Sequence, residues 1–118
     1  MAVVNQYKFY GKATTAAETV SMLSPAVNET IIIKSLRVTN KSGSNTPTIS
    51  ITNNAFFIVN TQQLATNTSV EILTLPLIVE GGTILKYITA GTMSDGVDIG
   101  ISYLNILKEV TTWWQTYQ

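Results

Sequence analysis

Thr30-Ile31-Ile32-Ile33-Lys34-Ser35-Leu36-Arg37-Val38-Thr39-Asn40, then Lys41-Ser42-Gly43-Ser44-Asn45, then Thr46-Pro47-Thr48-Ile49-Ser50-Ile51-Thr52, is the stretch that decides the fold. In the first segment the even positions Ile32, Lys34, Leu36 and Val38 are mostly apolar. The odd positions Ile31, Ile33, Ser35, Arg37 and Thr39 turn polar toward its end. The second segment is small and polar, as a turn requires. In the third, Pro47, Ile49 and Ile51 alternate with Thr46, Thr48, Ser50 and Thr52. Period two places one set against a core and the other in water. The stretch reads as strand, turn, strand.

The same grammar extends both ways. Upstream, Tyr7 to Ala13 predicts a strand with Tyr7 and Phe9 on one face and Lys8 and Tyr10 on the other. Thr19 to Leu23 predicts a short strand ended by Ser24-Pro25, because proline has no N–H for a ladder. Downstream, Ala55 to Val59 is wholly apolar and predicts a strand buried on both faces. Ser69 to Leu77 predicts one strand, with Pro76 at its end or on an edge. Gly81-Gly82 turns the chain into a strand over Thr83 to Thr89. The loop from Gly91 to Gly96 leads into a strand over Val97 to Leu107. Leu104 to Trp114 could form a short terminal helix, but Val110-Thr111-Thr112 weakens it.

Eighteen Thr, thirteen Ile and ten Val make up about a third of the chain, and β-branched side chains suit a pleated, half-buried surface. Short strands separated by breakers about every ten residues predict an all-β fold. We expect a single antiparallel β-sandwich, jelly-roll-like, of about eight strands. Residues 1–108 would form the sandwich and 109–118 an aromatic C-terminal tail.

Composition excludes several kinds of chemistry. The 118 residues include no Cys and no His. There is therefore no disulfide, no thiolate or His-dependent catalysis, and no Cys- or His-ligated metal. Seven basic and seven acidic residues balance, Arg37 is the only arginine, and the lysines are scattered, which argues against nucleic acid as a partner. Met1 to Tyr10 lacks the apolar core of a signal peptide, and no apolar run is long enough to span a membrane. The Asn28, Asn40 and Asn67 glycosylation-type triplets are expected by chance in so Asn- and Thr-rich a chain.

Several groups of residues carry a longer signature. The Ile31 to Asn40 strand and its polar turn are followed by Glu71-Ile72-Leu73-Thr74-Leu75-Pro76-Leu77, then Glu80-Gly81-Gly82-Thr83-Ile84, then Val97-Asp98-Ile99-Gly100-Ile101-Ser102-Tyr103-Leu104. From about Tyr7 to Ile106 this succession resembles the small β-sandwich structural proteins of tailed bacteriophages, found on heads, necks and tails. The turn before the long strand is Ser24-Pro25-Ala26-Val27-Asn28-Glu29 here, a loose fit to the Pro-Ala-Gly type of that group. The resemblance implies a non-enzymatic virion protein. Its first implication is a capsid decoration or cement protein, binding the major capsid or other virion proteins as a symmetric homo-oligomer, a trimer. Its alternative is a neck, collar or tail-fibre component. The implied location is the virion, assembled in the bacterial cytoplasm. No cofactor is implied.

Carboxylates are the remaining acid–base route, but Asp95 and Asp98, or Glu71 and Glu80, show no spacing that converges on a pocket. Two carboxylates are too few to suggest a Ca²⁺ loop. The terminal Trp113, Trp114 and Tyr117 are costly to leave in water. Contact with a partner chain is favoured over capping of the chain's own sandwich, and both over sugar stacking. A carbohydrate- or receptor-binding module is the rival from another class, with Trp113 and Trp114 beside Gln115. Tyr7, Phe9, Tyr10, Phe56, Phe57 and Tyr103 are expected in the core or in subunit contacts. Thr46, Thr48, Ser50 and Thr52 form a flat hydroxyl face, open to solvent or packed on a neighbour.

Overall fold

A computed structural model describes residues 3–108 and builds them entirely from strands and loops. The strands are β1 (Val3–Thr14), β2 (Thr19–Leu23), β3 (Glu29–Asn40), β4 (Thr48–Asn53), β5 (Phe56–Gln63), β6 (Thr68–Glu71), β7 (Leu77–Glu80), β8 (Leu85–Ala90) and β9 (Val97–Lys108). One sheet runs β1-β9-β3-β6, with β7 also on β3; the other runs β2-β8-β4-β5. Every pairing is antiparallel. β6 and β7 share one edge of β3, so they count as one interrupted strand. The order is then that of an eight-stranded jelly roll, two four-strand layers face to face.

The interruption has a cause in β3. The register of β3 against β9 shifts between Ile33 and Ser35, a bulge around Lys34. Before it, Ile31 and Ile33 point inward; after it, Leu36 and Val38 do. A bulge adds one residue to one strand and so exchanges the faces beyond it. On the far edge of β3, the Glu71 carboxylate takes the Leu36 N–H at 2.7 Å and the Ser35 hydroxyl at 2.5 Å. The Ile72 N–H still reaches Leu36 O at 2.8 Å. The chain then leaves the sheet and resumes pairing as β7, with Leu77 opposite Ile33.

The core lies between the layers. β3 supplies Ile33, Leu36 and Val38, β9 supplies Ile99 and Ile101, β4 supplies Ile49 and Ile51, and β8 supplies Leu85 and Tyr87. Burying one such side chain contributes about 1.5–3 kcal/mol relative to exposure. Leu64 and Met93 add to the core from loops, a contribution that strand periodicity does not predict.

Several expectations need correction. Ala55 to Val59 is not buried on both faces: Ala55 lies in the turn, and Phe56 and Phe57 are exposed on β5, an edge strand. Ser69 to Leu77 is two strands, with Leu75 exposed between them. Leu104 to Lys108 continues β9 as strand rather than starting a helix. On the hydroxyl face, Ser50 and Thr52 are buried, because β4 is an inner strand walled by β8 and β5. Ser50 also accepts the Thr61 N–H at 2.7 Å where β5 bulges.

Candidate interaction surface

The outer face of the five-stranded sheet has two halves. Register places Tyr7, Leu104, Ile32 and Ile78 side by side across β1, β9, β3 and β7. Tyr7 is 79% exposed and Ile78 53%, with Leu104 and Ile32 half-buried between them. An apolar row thus crosses the whole sheet in water. Contiguous exposed apolar surface on a rigid sheet is how soluble proteins present contacts to other protein.

The adjoining half is a groove of about 660 Å³ whose lining includes Phe9, Gly11, Ser35, Arg37, Asp98, Gly100 and Ser102. Its floor is a glycine pair. Gly11 of β1 stands opposite Gly100 of β9, and Arg37 of β3 pairs with Gly100 on the other side. The Phe9 ring leans along β1 over both glycines. A Cβ at Gly11 would meet Phe9 Cε2 at 2.9 Å, and one at Gly100 would meet Cε1 at 3.2 Å. The ring is held flat by the bare backbone beneath it, yet Phe9 stays 70% exposed.

Several ionisable groups bond strands and loops to one another. Asp98 pairs with Lys41 at 3.1 Å across half-exposed side chains. Thr14 and then Tyr87, through their hydroxyls, hold the Glu18 carboxyl below its ordinary range. Burial and then Glu18 push the Tyr87 phenol up. The Ala26 N–H, at 2.8 Å, and then the Asn105 amide, at 3.1 Å, hold Glu29 low. Partial burial pushes Glu71 up, but its bonds from Ser35, Leu36 and Leu73 outweigh it and leave the carboxyl low. Among the described residues no three of Asp and Glu gather as a metal would need.

At one end of the sandwich the buried Asn40 ties loops together. Its Nδ2 donates to Asn45 O at 2.9 Å and to Leu64 O and Ala65 O at 3.2 Å. Its Oδ1 accepts the Ser42 N–H at 3.1 Å.

Trp113, Trp114 and Tyr117, the residues singled out for partner binding, lie outside the described residues. Tyr10 and Tyr103 pack against the core, whereas Tyr7, Phe9, Phe56 and Phe57 stand exposed. The core reading fails for those four; each sits on an edge strand, β1 or β5. The Tyr7–Leu104–Ile32–Ile78 row escapes sequence reading because its members come from four strands and two of them lie beside the bulge. The signal available in advance was Phe9-Tyr10-Gly11, an aromatic two residues before a glycine on one face.

No protein-family model matches the chain. No curated protein matches it either. Among solved structures it is similar to a chain of infectious bursal virus derived T=1 particles. There the TM-score is 0.50 at 13% identity, over 92% of this chain and 31% of that one. The VP2 subviral particle of infectious bursal disease virus matches at a TM-score of 0.43 and 13% identity, over 99% and 34% of the two chains. The chain spans about a third of the length of these solved chains. What the likeness establishes is the fold: a β-sandwich of two antiparallel sheets.

Proposed function

We propose that this chain is a non-enzymatic virion structural protein that works by holding neighbouring protein. The observation that carries the reading is the exposed apolar row Tyr7–Leu104–Ile32–Ile78 across the outer face of the five-stranded sheet. Burying such a row against protein gains about 25 cal/mol per Å² of apolar area before the costs of association. Few charges need desolvation on the way, since only 12% of the chain is charged. The fold's likeness to particle proteins supports the same reading. Its finer form is a capsid decoration protein of a tailed bacteriophage, bound to the shell as a symmetric oligomer.

The test is the purified particle. Density-gradient particles from the source virus contain the chain, and quantitative mass spectrometry finds it in hundreds of copies for decoration or in a dozen or fewer for a neck or tail. Absence from the particle band sinks the reading.

A further inference from the structure

β1 lies at the edge of its sheet, and β9 reveals which of its main-chain groups are free. Lys108 donates its N–H to Asn28 O at 2.9 Å and accepts the Asn28 amide at 3.2 Å, so its peptide groups point away from β1. At the other end of the strand, Gly96 O accepts the Lys41 N–H at 3.1 Å and points the same way. Successive residues of a strand alternate in direction. The odd-numbered residues of β9 therefore bond β1, and through the register they meet its even-numbered residues, from Val4 opposite Leu107 to Thr14 opposite Val97. Asn5, Tyr7, Phe9, Gly11 and Ala13 turn N–H and C=O outward. Among the described residues no strand meets them.

The other edges are blunted. β2 has five residues and a register shift, β5 is bulged twice with Thr61 at φ 54, and β6 and β7 are two short pieces. β1 runs for twelve residues without a shift and without proline. A long, regular, open edge is a template for another strand.

We propose that this edge pairs antiparallel with β1 of a second copy about a two-fold axis, with Phe9 of one copy opposite Phe9 of the other. The proposal rests on the reading of the chain as an assembly subunit. Only odd residues offer free groups, so odd must pair with odd. Charge disfavours the two registers nearest to this one, and the pairing of the two rings over their glycines favours Phe9 on the axis over Tyr7. β1 carries Lys8 and Lys12 and no acid. Shifting by two residues, so that Tyr7 faces Phe9, puts Lys8 opposite Lys8, and like charges directly opposite are destabilising. With Phe9 on the axis, Lys8 faces Tyr10, Lys12 faces Gln6, Tyr7 faces Gly11 and Asn5 faces Ala13. The two rings then meet as neighbours over their glycine floors, and about ten main-chain hydrogen bonds close the seam. Both apolar rows come onto one continuous sheet, and the association is two-fold where the resemblance implied three-fold.

The test uses the full chain. Sedimentation velocity shows the wild type as a dimer. Phe9→Lys, at an exposed position, weakens the dimer roughly tenfold or more by loss of the ring pair and gain of a like charge. Phe9→Glu alone weakens it too, and mixing the two variants restores a heterodimer, a rescue that only this register predicts. Tyr7→Pro removes an outward N–H and spares the β9 ladder, so it abolishes the dimer and keeps the far-ultraviolet spectrum. A wild type that is monomeric across the micromolar range overturns the pairing. So does a dimer indifferent to all three variants. A monomer whose odd β1 amides are protected from hydrogen exchange overturns it in favour of the chain's own tail on the edge. A monomer still found in particles defeats the pairing alone; a dimer missing from particles defeats only the virion reading.

Discussion

Gly11 and Gly100 face each other across β1 and β9, and the Phe9 ring lies over both. A glycine pair inside a sheet leaves main chain open to water, and an aromatic from the same face covers it.

That cover has a spectroscopic signature. The α-protons of Gly11 and Gly100 resonate upfield under the ring current, and Phe9→Leu returns them to ordinary values. Gly100→Ala needs the end of the exposed Phe9 ring to shift by only a few tenths of an ångström, so its stability changes by less than about 1 kcal/mol. Unshifted α-protons in the wild type would show that the ring lies elsewhere.

Core and break should respond very differently to the same substitution. Leu36→Ala removes a fully buried side chain on the inward face beyond the bulge, at a cost of about 2–5 kcal/mol in urea unfolding. Leu75→Ala, in the exposed loop between β6 and β7, stays within about 0.5 kcal/mol. Equal costs would contradict the divided strand.

Asn40 is worth more than its size. Asn40→Ala strips partners from three carbonyls and from the Ser42 N–H at once. Unsatisfied buried groups cost about 1–3 kcal/mol each, so the variant melts far below the wild type or fails to fold. An Asn40→Ala protein that melts within a few degrees of the wild type would mean the loops hold without it.

The pH profile follows from three lowered carboxyls and three raised phenols. Glu18, Glu29 and Glu71 titrate below 4.5 when folded. Their contribution is fully present above 4.5 and is lost as pH falls through the folded values. Tyr10, Tyr87 and Tyr103 titrate above 10.0 when folded. Their contribution is present below 10.0 and declines as pH rises beyond it. With no His in the chain, stability is flat between these limits. Urea midpoints measured across pH check this, and Glu71→Gln reduces the acid-side loss. A midpoint that drifts between pH 6 and 8 would contradict it.

Strand existence was legible in the sequence wherever alternation was unbroken. Thr19–Leu23 is β2 as read, and Val97, Ile99 and Ile101 face inward as their spacing requires. The misreadings occur where tertiary context overrides a local run. Phe56 and Phe57 look like core until their strand proves to be an edge. Ser50 and Thr52 look wet until β4 proves to be flanked on both sides. For the surface, each residue was visible but the row was not, because cross-strand neighbours depend on register. Arg37 reads as a solvated charge alone; beside Gly100 it becomes a wall of the groove.

The extra residue at Lys34 also bears on how relatives would be detected. It acts as a phase slip: hydropathy alternation in Ile31–Ile33 and in Leu36–Val38 is out of step by one. A comparison that scores the whole strand with a single parity marks half of it as mispatterned. Deletion of Lys34 would set Ile33 and Ser35 in unbroken pairing with Tyr103 and Ser102 and leave Leu36 and Val38 facing the core, whereas deletion of the regularly paired Arg37 would turn Val38 outward. A one-residue difference in length at this point is therefore compatible with the same core, where the same difference elsewhere in the strand is not.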